Sequence, residues 1–120
     1  MYKISKEFAF SAAHALYGLA ENHPCTRLHG HNYIVTVHLK AKELNEVGFV
    51  KDYNDLALVK HYIDNNLDHK NLNDIMAPLN SSAENLAKML YDIFKPMLPE
   101  LYAVEVSETP KTSAIYEPEG

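Results

Sequence analysis

Hydrophobic residues fall on alternate positions at the start of the chain. Ile4, Phe8 and Phe10 are set against Lys3, Ser5 and Glu7, a period of two that predicts a strand from Tyr2 to His14. Gly18, Asn22 and Pro24 then break any regular pattern, so residues 16–28 read as a loop. Alternation returns from His29 to Leu44, with Val35, Val37 and Leu39 on one face and Thr36, His38 and Lys40 on the other. A turn near Gly48 leads into FVKDY, a short extension or edge segment. Beyond it the period changes. Leu56, Val59, Ile63 and Leu67 follow helical spacing, with Asn54 or Asp55 as cap, and LDHKNLND at 67–74 reads as a loop. Ser81 or Ser82 ahead of Glu84 opens a second helix through Leu86, Leu90, Ile93 and Phe94, which Pro96 and Pro99 end. YAVEVSET (102–109) and TSAIYEP (112–118) are two strands joined by a tight turn at Pro110-Lys111.

The predicted order is strand, strand, helix, helix, strand, strand. It implies an α+β fold: a four-stranded antiparallel sheet with two helices between strands 2 and 3, packed on one face. Such a sheet has open edges that association of identical chains can close. At 120 residues the chain is read as a single domain over 1–120.

Composition narrows the function. A net charge of -5 and the absence of any Lys/Arg run argue against a nucleic-acid partner. The only arginine, Arg27, lies beside the sole cysteine, Cys25, and is the candidate contact for an anionic substrate group. One cysteine makes no internal disulfide. FAFSAAHALYGLA (8–20) imitates a signal peptide, but Glu7 at its mouth and His14 in its middle speak against one. No stretch has the apolar length of a membrane span, and the expected location is cytoplasmic.

The chemistry concentrates in CTRLHGHNY (25–33). On a strand, His29 and His31 project from the same face, and Gly30 leaves room on the other. Two imidazoles so placed can share a divalent cation, and His14, at the end of the first strand, is the best third ligand. Three neutral imidazoles with one open position fit a catalytic zinc better than a structural one, although imidazoles serve several dications. Cys25 has three readings: a small buried hydrophobe, a fourth ligand that closes the site, or a thiolate favoured by Arg27 and a nearby dication. His23, His38 and His61 have no evident partners. Asp68-His69 reads as a helix-end pair, and Glu108 as an exposed strand carboxylate.

FSAAH (10–14), CTRLHGHNY (25–33), GFVKDYNDL (48–56), LDHKNLN (67–73), NSSAEN (80–85) and VSET (106–109), in this order, resemble the 6-pyruvoyl-tetrahydropterin synthase family over nearly the whole chain. The C-x-x-x-H-G-H spacing is similar to its bacterial branch, the 6-carboxy-5,6,7,8-tetrahydropterin synthases of queuosine biosynthesis. The resemblance implies Zn2+ on His14, His29 and His31, with Cys25 as proton acceptor rather than ligand. It implies Asp68 and His69 as a proton relay and Glu108 as the pterin anchor. Ser81 and Ser82 are candidate pterin contacts, with a helix cap the better reading for at least one. The implied substrate is 7,8-dihydroneopterin triphosphate, and the implied assembly a barrel of trimers stacked into hexamers.

Overall fold

The computed structural model describes residues 1–120. The first alternating segment forms β1 (Tyr2–His14) and the second β2 (His29–Ala41), three residues shorter than the pattern suggested. They pair antiparallel along their full length, from Tyr2 opposite Ala41 to His14 opposite His29. Alternation puts Phe8, Phe10, Ala12 and His14 on the same buried face as Tyr33, Val35, Val37 and Leu39. FVKDY forms no strand. A 3-10 turn (Tyr53–Leu56), capped by Asp52 accepting from the Asn54 N–H, leads into α1 (Ala57–Asn66); α1 itself starts after Leu56 with no side-chain cap, from Asn54, Asp55 or any other residue.

The segment read as a loop at 67–74 is ordered. Lys70–Asn71 form β3, which runs parallel to β1 beside Ala12 and Ala13, and Leu72–Met76 form the short helix α2. The sheet is therefore five-stranded and mixed rather than four-stranded and antiparallel, and there are three helices rather than two. Leu72 and Met76, one helical turn apart, are both buried and pull this polar-looking stretch onto the core. The free backbone edge of β1 gives the two-residue strand its partners.

α3 (Ala83–Phe94) begins at Ser82, whose hydroxyl accepts from the Asn85 N–H at 3.2 Å. Its Leu86, Ala87, Leu90, Tyr91 and Phe94 are buried at helical spacing in one core with Val59 and Ile63 of α1 and the inward residues of the strands. β4 (Leu101–Thr109) and β5 (Thr112–Tyr116) complete the sheet in the order β3-β1-β2-β4-β5, with the turn at Pro110-Lys111 as expected. No helix is long and apolar enough to cross a membrane.

Candidate metal centre and active site

The β1–β2 register ends with His14 directly opposite His29, and His31 lies opposite Ala12. All three imidazoles project to the core side at the open end of this pair. Their ring centroids are 4.6, 4.9 and 5.1 Å apart, and their planes are steeply inclined to one another. One nitrogen from each lies within 4.8 Å of the others; the Cys25 sulfur is not part of the group.

Two backbone carbonyls set the tautomers. His14 Nδ1 donates to the Ser81 carbonyl at 2.7 Å, and His29 Nδ1 donates to the Arg27 carbonyl at 2.7 Å. A carbonyl only accepts, so each neutral ring carries its proton on Nδ1 and presents a lone pair at Nε2. His14 Nε2 is buried and has no hydrogen-bond partner. Burial holds the His31 pKa below its ordinary value; Glu108 opposes that shift, while His14 and His29 reinforce it. Neutral rings with converging lone pairs, one of them orphaned in the interior, fit a divalent cation.

Residues that the sequence did not single out support this centre. Asn73 Oδ1 accepts from the Ala15 N–H and its Nδ2 donates to the Ala15 carbonyl, both at 2.8 Å, clamping the chain just after His14. Phe10 stacks on Tyr33 at 4.9 Å, and the Tyr33 ring meets His14 and His31 edge-on at 6.0 and 5.6 Å. Burial and the Glu108 charge push the Tyr33 pKa well up, so the phenol stays protonated. The LDHKNLN and HGHNY segments contain both residues, but neither spacing nor composition separates a clamp from an ordinary polar or aromatic position.

Glu108, on β4, faces two of the three rings. Its Oε2 is 3.3 Å from His31 Nε2 and 3.9 Å from His14 Nε2. Asp68 and His69 are held on the edge of β1: Asp68 Oδ1 accepts from the Ser11 N–H at 3.0 Å, and the His69 N–H donates to the Ser11 carbonyl at 2.6 Å. Asp68 Oδ2 lies 2.9 Å from His69 Nδ1. The Ser11 hydrogen bond first, and the His69 contact second, hold the Asp68 carboxyl below its ordinary range. The His69 side chain is 82% exposed and its backbone is left-handed, with φ of 60°. A groove of about 540 Å³, lined by Ser11, Gly30, His31, Asn32 and His69 among others, brings one of the three clustered imidazoles and the His69 side chain to a common space. A Cβ on Gly30 would meet only the Ala12 carbonyl at 3.7 Å, an ordinary contact, so what Gly30 keeps open is this groove.

The remaining candidates divide. Cys25 is half-buried in a 3-10 turn (Pro24–Thr26), where its N–H donates to His23 Nδ1. Arg27 is exposed, and what it brings to the centre is its carbonyl. Ser81 is buried; its carbonyl orients His14 while its hydroxyl lies 3.4 Å from Asn73 Oδ1. Ser82 is the helix cap. His38, expected to lack a partner, pairs with Glu105 at 3.0 Å.

The family profile described as 6-pyruvoyl tetrahydropterin synthase matches residues 3–119. The chain belongs to this family. A Synechocystis relative named 6-carboxy-5,6,7,8-tetrahydropterin synthase is 35% identical, over 97% of this chain and 93% of its own length. A Dictyostelium discoideum relative named 6-pyruvoyl tetrahydrobiopterin synthase is 31% identical, over 94% and 93%. The solved structure of Caenorhabditis elegans 6-pyruvoyl tetrahydropterin synthase superposes with a TM-score of 0.86 at 27% identity, covering 98% of this chain and 96% of that one. The chain is thus one of the pterin synthase enzymes, in a family whose named members include both carboxy and pyruvoyl synthases.

Proposed function

We propose that this protein is a zinc-dependent 6-carboxy-5,6,7,8-tetrahydropterin synthase. It converts 7,8-dihydroneopterin triphosphate and one water to the 6-carboxy product with release of acetaldehyde and triphosphate, a carbon–carbon and carbon–oxygen lyase of queuosine biosynthesis. The observation that carries the reading is the convergence of three imidazole nitrogens, two with tautomers set by backbone carbonyls. The C-x-x-x-H-G-H spacing and the Synechocystis relative favour the carboxy product over the pyruvoyl one.

His14, His29 and His31 would hold the metal, which when bound supplies Lewis-acid polarisation to the substrate's side-chain oxygens. Cys25 takes a proton from the side chain as the base. His69 moves a second proton, with Asp68 orienting its ring and stabilising the imidazolium, as the 2.9 Å contact supports. Glu108 accepts two parallel N–H bonds from the amino-pyrimidinone edge and anchors the ring. Arg27, with an exposed side chain, is available to the triphosphate. Ser81 and Ser82 act through the framework: the first by its carbonyl, the second as cap.

In the same reading the enzyme is a cytoplasmic homo-oligomer, trimers stacked into hexamers, in which neighbouring chains close the sheet edges. It takes a small-molecule pterin as its partner and neither nucleic acid nor membrane. The test is product identification from 7,8-dihydroneopterin triphosphate. Acetaldehyde and 6-carboxy-tetrahydropterin in equal amounts are expected; a pyruvoyl product without acetaldehyde would assign the other family reaction.

A further inference from the structure

We propose that Asn80 is a positioning residue for the metal centre: from outside the site, it fixes the carbonyl that keeps the His14 proton on Nδ1. The inference rests on the three-histidine metal site proposed above. It concerns a residue that hydrogen-bonds to none of the three imidazoles.

The His14 proton has two acceptors to choose between. The Ser81 carbonyl is 2.7 Å from Nδ1, whereas Glu108 Oε2 is 3.9 Å from Nε2. A neutral imidazole carries one N–H, so the short contact decides, and Nε2 keeps the lone pair that a cation needs. The His14 ring is wholly buried, and no solvent replaces the carbonyl if it withdraws. The proton then moves to Nε2, on the carboxylate side, and the lone pair is lost from the point where the three rings converge. Metal affinity thus depends on where the Ser81 carbonyl stands.

What holds that carbonyl is a set of side chains. Residues 77–82 connect α2 to α3, and no backbone–backbone hydrogen bond joins them to the stretch after His14. Asn80, next to Ser81, supplies the missing tie. Its Oδ1 accepts from the Tyr17 N–H at 3.2 Å, and its Nδ2 donates to the Tyr17 carbonyl at 2.8 Å. One side-chain amide therefore satisfies both polar groups of a residue, as a strand partner would. Asn85 Nδ2 donates to the Asn80 carbonyl at 3.0 Å and anchors this point to α3. The Ser81 hydroxyl is the weaker tie, since at 3.4 Å from Asn73 Oδ1 it stands at the limit of a hydrogen bond. On the facing side, Asn73 holds Ala15, the Cys25 carbonyl accepts from the Leu16 N–H at 2.7 Å, and Asn80 holds Tyr17. The pairs His14–Ser81 and Tyr17–Asn80 give the two segments a two-point attachment, and Asn80 provides the outer point.

The experiment compares metal-free wild type, Asn80→Ala and Asn45→Ala. Nitrogen NMR of the labelled histidine rings reads the His14 tautomer, and competition with a chelator reads Zn2+ affinity. Asn45 is a matched control: its Oδ1 accepts from the Val47 and Phe49 N–H groups, both at 3.0 Å, in the loop beyond the opposite end of the β1–β2 pair. Asn45→Ala also loses two side-chain bonds, but none near His14. Expected is a single Nδ1–H tautomer and equal Zn2+ affinity in wild type and Asn45→Ala. In Asn80→Ala an Nε2–H population should appear, and Zn2+ should bind roughly 10-fold more weakly. The wild-type tautomer or wild-type affinity in Asn80→Ala would overturn the inference while leaving the three-histidine site intact. An equal loss of affinity in Asn45→Ala would overturn it too, by reducing the effect to general loosening. Failure of the wild type to take up Zn2+ would instead remove the metal site itself, and this inference with it.

Discussion

His31→Ala separates the metal site from the fold. The side chain is 20% exposed, and its one polar contact is with Glu108, so its removal from metal-free protein should cost no more than about 1 kcal/mol. The metal contribution behaves differently. A ligand that binds only the folded state stabilises it by RT ln(1 + [L]/Kd), about 4.1 kcal/mol at a thousand times Kd. If losing one imidazole weakens binding by about a hundredfold, the scale seen even for outer partners of metal ligands, the variant stands at ten times its Kd. It then gains only about 1.4 kcal/mol. The difference of about 2.7 kcal/mol corresponds to roughly 10 °C in melting temperature for a domain of this size. Differential scanning fluorimetry with and without saturating Zn2+ reads it directly. Equal metal-induced shifts in wild type and His31→Ala would refute the three-imidazole assignment.

Other outcomes follow from individual contacts. His69→Ala should leave the melting temperature within the range of surface changes, since the side chain is 82% exposed, yet lower kcat by about 10²–10⁴. Asn73→Ala, by removing both bonds to Ala15 and freeing the chain after His14, should cost about 2 kcal/mol in denaturant unfolding and weaken metal binding as well. Ser82→Ala should cost about 1 kcal/mol through the lost cap with unchanged KM; a raised KM at unchanged stability would make it a substrate contact instead. Metal-free protein should lose stability as the pH falls below the ordinary histidine value of 6.5, because His31 resists protonation when folded and takes up a proton when unfolded. A flat stability profile through that range would contradict the burial of this neutral ring.

Much of the fold was legible because two periodicities are clean. The β1 and β2 alternation gave both the strands and the shared face of His14, His29 and His31. Helical spacing of Leu56, Val59, Ile63 and Leu67 gave α1, and all four are buried. What failed was short-range. In LDHKNLND the polar majority hid Leu72 and Met76, and a two-residue parallel strand has no period to detect. The metal cluster was readable as a spacing, but its tautomers were not, since they depend on the Ser81 and Arg27 carbonyls. Family resemblance, not spacing, brought Asp68, His69 and Glu108 into the site. Tyr33 and Asn73 escaped because only tertiary contacts distinguish them.

The account turns on a metal centre that is open, with the thiol left free to act as a base. The zinc content of purified Cys25→Ala protein tests this most directly. One equivalent of zinc per chain, as in the wild type, is the predicted result. Loss of the metal on removing the sulfur would show a closed Cys-His₃ site and contradict it.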